Sequence, residues 1–155
     1  KVPAGNLPDI LRLNGEKTLE LLRNLTETER KYIYADGKWS IAQILVHIID
    51  TERIFAYRAL RIARGDKTPL PAFEENDYAK NSNANERDFE EILEEYDCVR
   101  KATVSLLKSF TNEMLQNIGV SSNMNVTVNA IIYMLAGHEI HHVKVLKERY
   151  LRRTS

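Results

Sequence analysis

The sequence predicts an all-α fold, a four-helix bundle. Long charged stretches run almost free of glycine and proline, over 38–64, 72–118 and 120–155, the last broken only by Gly137. Breaker-poor stretches of this kind favour helix. Apolar residues recur within them at the 3.6-residue period. No segment reads as a strand, and no internal repeat or low-complexity tract interrupts the pattern. With 155 residues the chain is one domain, 1–155, long enough to bury a single core.

The first helix is expected from about Asp9 to Leu25, with Leu11, Leu19, Leu22 and Leu25 as its apolar stripe and Gly15 weakening its first half. A polar connector, Thr26 to Lys38, turns at Asp36-Gly37. Ser40 opens the second helix, and Gln43 three residues on completes a capping box. Ile41, Leu45, Ile48, Phe55, Ala59 and Ile62 keep the helical period until Gly65-Asp66 ends it. Lys67 to Asn85, carrying Pro69, Pro71 and Phe73, reads as a long loop of the kind that forms lids or binding loops. The third helix is expected from Glu86 to Phe110, with Phe89, Ile92, Leu93, Tyr96, Val99, Val104 and Leu107 inward. A short helical turn follows at Asn112 to Gln116, and Ser121 to Asn125 forms a second loop. The fourth helix runs from Thr127 to Leu151, where Lys144, Lys147 and Arg149 suit the negative end of the helix dipole. The links are long enough for crossovers, so a simple up-down-up-down order does not follow from the residues.

Composition narrows the function. Lys plus Arg and Asp plus Glu are 22 each, so the net charge is zero and a general nucleic-acid binder is not expected. The longest apolar run, Ile44 to Ile49, is broken by His47, so no membrane span is expected. The single cysteine, Cys98, excludes an internal disulfide framework and a multi-cysteine zinc site. It suits a reducing compartment, and no apolar leader is visible at Lys1-Val2-Pro3, so a cytoplasmic location is expected. Cys98 itself is expected to be a buried structural thiol.

Of four histidines, three fall within five positions: His138, His141 and His142, with His47 far upstream. His138 and His142 are four apart, one helical turn, so both imidazoles face one side and can converge on one ion. They continue the stripe Ile131, Leu135, His138, His142, Leu146 toward the interior. An ordinary core histidine is the competing reading for either. His141 is an alternative second ligand but lies on the flank. His138-Glu139-Ile140-His141-His142 also fits the H-E-x-x-H pattern of zinc proteases. That reading is disfavoured: the later positions hold Val145 and Glu148 in place of the glycine and third histidine of the extended motif, and no sheet is expected to hold a peptide. A di-iron bundle needs two E-x-x-H motifs, and only Glu139 to His142 supplies one. His47 is the better third ligand. Three histidines leave a position open for water or a thiol, as in a catalytic site.

At this point the residues resemble a family. Gly37-Lys38-Trp39-Ser40-Ile41 with His47-Ile48-Ile49-Asp50-Thr51-Glu52-Arg53, and Gly137-His138-Glu139-Ile140-His141-His142 with Lys147-Glu148-Arg149-Tyr150, are similar to the paired motifs of DinB-like (DinB/YfiT) proteins. The resemblance covers about residues 8 to 151. It implies an up-down-down-up bundle, a divalent metal (zinc or nickel) on His47, His138 and His142, and a homodimer acting on a small molecule. It further implies a thiol-dependent S-transferase using a low-molecular-weight thiol such as bacillithiol, mycothiol or glutathione. The alternatives are a metal-dependent hydrolase using an activated water and a non-catalytic metal-binding dimeric protein.

Two carboxylates are expected to serve catalysis: Asp50, one turn from His47 and placed to orient it, and Glu139, beside His138, as a base toward a metal-bound water. Each is also readable as an ordinary helix charge. Glu52 and Arg53 are expected to pair with the Lys147-Glu148-Arg149 end. Arg58, Arg61 and Arg64 form a basic strip, read mainly as a solvated face and alternatively as a seat for an acidic thiol. Trp39 is expected to plug the bundle end, and Phe73 and Tyr78 to line a pocket or anchor the long loop.

Overall fold

The structure is a computed structural model that describes residues 2–151. In chain order the helices are α1 (Leu7–Arg23), α2 (Glu27–Lys31), α3 (Ile41–Ala63), α4 (Glu75–Asn81), α5 (Phe89–Lys108), α6 (Asn112–Gln116) and α7 (Val128–Val145). A 3-10 turn occupies Ala84–Glu86, and a π-helical segment, Leu146–Tyr150, extends α7. Between α6 and α7 lies an antiparallel ribbon of β1 (Ile118–Ser121) and β2 (Met124–Thr127).

The four long helices begin where a side-chain oxygen can take the orphaned first-turn N–H groups. Asn6 caps α1 by accepting from the Asp9 N–H. Ser40 and Gln43 form both halves of the expected capping box on α3. Asp88 accepts from the N–H groups of Glu90 and Glu91 at the start of α5, and Thr127 accepts from Ala130 at the start of α7. Each cap moves its boundary by a few residues at most from the periodicity alone.

Three expectations about the links need correction. The connector after α1 contains α2, which Thr26 and Glu29 close with a second capping box. The long loop contains α4. The second loop is a hairpin: Ser122 and Asn123 both take positive φ, 50° and 63°, as the tight primed turns of hairpins require. Gly119 lets this ribbon approach α3, since a Cβ there would lie 2.5 Å from Ile62 Cγ1. Leu70 bonds to both sides of β1's end, donating to the Val120 carbonyl at 2.9 Å and accepting from the Ser122 N–H at 3.0 Å. The ribbon thereby pins the loop after α3. Cys98 is exposed, because its position on α5 turns away from the stripe that buries Tyr96 and Arg100.

Within the bundle α1 and α3 are diagonal; each packs against both α5 and α7. Two apolar clusters fill the two ends. One joins Leu19, Leu22 and Leu25 of the α1 end to the first half of α3, the first half of α5 and Leu146. The other joins Leu7, Ile10 and Leu11 to Ala59 and Ile62, Val104 and Leu107, and the start of α7. Hence α3 and α5 run in one direction and α1 and α7 in the other. No helix among the described residues is long and apolar enough to cross a membrane.

A polar layer separates the clusters. Arg100, 4% exposed, clamps Glu52 through Nε to Oε1 at 3.0 Å and Nη2 to Oε2 at 2.8 Å. Its Nη1 donates to Glu139 Oε2 at 2.9 Å and to the Leu11 carbonyl at 2.6 Å. Thr18 and Tyr96 donate to the other Glu139 oxygen. All four long helices therefore meet on one guanidinium. Gly15 makes the room: a Cβ there would lie 3.1 Å from Arg100 Cγ and Nη1. Burial alone would lower the Arg100 pKa, but the Glu52 hydrogen bonds and the Glu139 charge reverse the direction and raise it. The ion pairs expected between Glu52-Arg53 and the chain's end do not form; Glu52 is committed to Arg100, and Arg53 pairs with Glu95 at 2.5 Å.

Removing the cation leaves two buried carboxylates facing each other. Arg100→Met is therefore expected to cost about 3–5 kcal/mol of stability, read as a lower urea midpoint, whereas Cys98→Ser at its exposed site should stay within about 0.5 kcal/mol.

Candidate metal centre

His47 sits in the second turn of α3, 2% exposed. His138 and His142 sit one turn apart in the second half of α7 and are half-buried. The opposed directions of α3 and α7 bring all three rings together. His138 Nε2 lies 2.9 Å from His47 Nε2 and 3.1 Å from His142 Nε2. The ring centroids stand 4.8, 4.8 and 4.5 Å apart, edge to face.

Among the described residues these three form the one group of histidine, cysteine and carboxylate side chains placed to share an ion. Their chemistry fits a divalent cation. One nitrogen from each ring points at the same small volume, and imidazole nitrogens suit zinc, nickel, copper or iron. A proton can sit between two of the nitrogens but cannot satisfy all three at once. A cation accepts all three lone pairs. Burial also keeps the rings neutral, the form in which histidine ligates. It lowers His47 to about 4. Burial, then the neighbouring imidazoles, lowers His138 to about 3 and His142 to about 4.

The other candidates fall as follows. His141 is exposed and stacks edge-on to His142 at 5.3 Å, outside the cluster. Trp39 packs against the His47 ring at 4.9 Å and so covers the site as well as the bundle end. Asp50 does not orient His47; His47 Nδ1 and His138 Nδ1 are buried with no hydrogen-bond partner among the described residues. The Asp50 carboxylate is half-buried, with Arg53 at 4.0 Å, and burial raises its pKa against the opposing pull of Arg53. Glu139 is not a free base. Both oxygens belong to the polar layer, because one residue further along the helix turns it about 100° from His138. Thr51, one turn beyond His47, buries a hydroxyl without a partner among the described residues. Sequence reasoning missed the roles of Glu52 and Arg100, although both lie at apolar-stripe positions where a charge requires a partner.

Known proteins share this frame. The profile of the DinB superfamily matches residues 10–146. The chain belongs to the DinB superfamily. A protein of Oceanobacillus iheyensis named "putative metal-dependent hydrolase" is 29% identical over 130 residues, covering 83% of this chain and 74% of its own length. A protein of the same name from Geobacillus thermodenitrificans is 26% identical over 148 residues, 92% of this chain and 79% of its own. Among solved structures, YfiT from Bacillus subtilis, described as "a probable metal-dependent hydrolase with an unusual four-helix bundle topology", superposes with a TM-score of 0.84 at 17% identity, covering 94% of this chain and 85% of that one. A mycothiol-dependent maleylpyruvate isomerase superposes with a TM-score of 0.72 at 11% identity, over 88% of this chain and 58% of that one. At these identities the two structures establish the DinB-type bundle fold and nothing finer.

The histidine cluster sets a pH dependence for the metal-free chain. The folded pKa values lie below the free value of 6.5, so between the two the unfolded chain binds more protons. The contribution is complete above 6.5 and is lost as the pH falls toward about 4 for His47 and His142 and about 3 for His138. Chelator-treated protein should show a Tm that declines across this interval, and the decline should be smaller in a His47→Gln, His138→Gln double variant.

Proposed function

We propose that the chain is a metal-dependent enzyme that holds a divalent ion on His47, His138 and His142 and transfers a low-molecular-weight thiol to an electrophile. The observation that carries this reading is the convergence of three neutral Nε2 atoms at 2.9 and 3.1 Å. When bound in such a donor set, a divalent ion lowers the pKa of a thiol or water that joins it and adds Lewis acidity. The names of the sequence relatives support metal dependence, and three histidine ligands leave a position that a thiol can take as well as water.

The chain's own groups then divide the work. The histidines hold the ion, and the Arg100 layer fixes the helices that present them. Trp39 shields His47 from water. Asp50, with its raised pKa and no short hydrogen bond among the described residues, is assigned to accept the thiol proton as the carbon–sulfur bond forms. A hydrolase is the second reading, favoured by the names of the two relatives, with the same ion and Asp50 acting on water.

Protein purified with zinc or nickel present should carry stoichiometric metal by elemental analysis, His138→Ala should lose it and His141→Ala should keep it. Wild type without bound metal would sink both enzyme readings. With metal in place, a panel of thiols and a generic electrophile separates the two: product formation that requires thiol supports transfer, and turnover of an activated ester without thiol supports hydrolysis. In either case Asp50→Asn should slow turnover about 10²-fold with metal content unchanged.

A further inference from the structure

The two most deeply buried arginines of the bundle are neutralised differently. Arg100 meets two carboxylates. Arg58, on α3 and 6% exposed, meets none among the described residues. Its Nη2 donates to the Pro71 carbonyl at 2.7 Å and to the Ser122 hydroxyl at 3.3 Å. Its guanidinium lies 5.6 Å from the Phe55 ring centre and 5.9 Å from that of Phe73. Neutral acceptors and ring faces reduce the cost of burying a cation but leave its charge uncancelled. The pKa directions agree: burial lowers Arg58, while Arg100 is raised.

The rest of the basic strip does not share this condition. Arg61 is paired with Asp66 and bonded to the Tyr57 hydroxyl. Arg64 is exposed and lies over the Phe110 ring. Arg58 instead lines a cavity of about 180 Å³ whose other walls include Ile54, Tyr57, Leu70, Phe73 and Tyr78. Its walls come from α3, from the loop after it, which the ribbon pins through Leu70, and from α4. The cavity thus offers one cation, whose Nε and Nη1 have no hydrogen-bond partner among the described residues, against apolar and aromatic surface.

We propose that this cavity is a carboxylate-binding site for a small monocarboxylic acid with an apolar or aromatic body. A single negative charge matches the single guanidinium. A phosphate dianion would leave excess charge against apolar walls, and a neutral ligand would leave Arg58 uncompensated. The site is distinct from the histidine cluster and does not depend on a metal. It lies on the same face of α3, since eleven residues, three turns plus about 20°, separate His47 from Arg58 and place them about 16 Å apart along the axis.

Benzoate, with neutral benzamide and inorganic phosphate as controls, tests the proposal by calorimetry on the full metal-loaded chain. Benzoate should bind about tenfold or more tighter than either control, the scale of one charge-assisted hydrogen bond. Arg58→Gln should lose that preference with its metal content unchanged. Because Arg58 also ties the loop to the hairpin, a second readout uses the wild type alone: benzoate should shift the Arg58 Nε–Hε NMR resonance and benzamide should not. Equal binding of benzoate and benzamide, tighter binding of phosphate, or no binding at millimolar concentration would overturn the proposal. So would benzoate binding that disappears on chelation while the Arg58 resonance stays still, which would place the acid on the metal. A chain that binds benzoate at Arg58 but never metal would overturn the metal-centre reading and leave this one standing.

Discussion

The histidine cluster depends on a contact that touches none of its rings. Arg100 projects from α5 into the waist of the bundle and draws Glu52 from α3 and Glu139 from α7 onto one guanidinium. Glu139 is the residue next to His138, and Glu52 follows His47 by five. Apolar packing alone is tolerant of sliding; a Leu accepts many neighbours. A buried fork of charge-assisted hydrogen bonds is not tolerant. Slipping α7 by one turn, about 5.4 Å, would strand a carboxylate in the core and carry His138 away from His47 in the same movement. Burying these charges need not add net stability against an apolar substitute. Their effect is on register, and the metal centre requires register.

How far the sequence disclosed this can be judged from particular residues. The four long helices were legible because both apolar period and cap chemistry were present: Ser40 with Gln43 is a complete signal on its own. His138 and His142 were separable from His141 because the stripe through Ile131, Leu135 and Leu146 assigns them inward. The shorter elements were less visible for a physical reason. Helix α2 spans five residues, too few to show a period, and only its Thr26–Glu29 box marked it. The ribbon relies on positive φ at Ser122 and Asn123, residues that carry a weaker turn signal than Asn-Gly. Charges misled most. Glu52 and Arg58 read mainly as surface charges, Glu139 read as a base toward the metal, and Arg100 drew no reading; only partners distant in sequence bring these groups inside. The available clue was positional: Glu52 lies four residues after Ile48 and Arg100 four after Tyr96, both on the buried face.

The two polar regions of the core also complement each other electrostatically. Three neutral imidazoles bring no charge to a divalent ion, so a bound cation would add two positive charges to a partly buried site. Among the described residues no carboxylate joins the histidine set. The adjoining layer carries its carboxylates on the same two helices. Glu52 and Glu139 against Arg100 leave one net negative charge, buried on the same two helices that carry the ligands. At an effective dielectric near 20 such a charge still acts over several ångströms. The layer's geometry fixes where the imidazoles meet, and its formal charge does not oppose a cation there. Arg58, with the opposite sign and three turns further along α3, is far enough away not to oppose it.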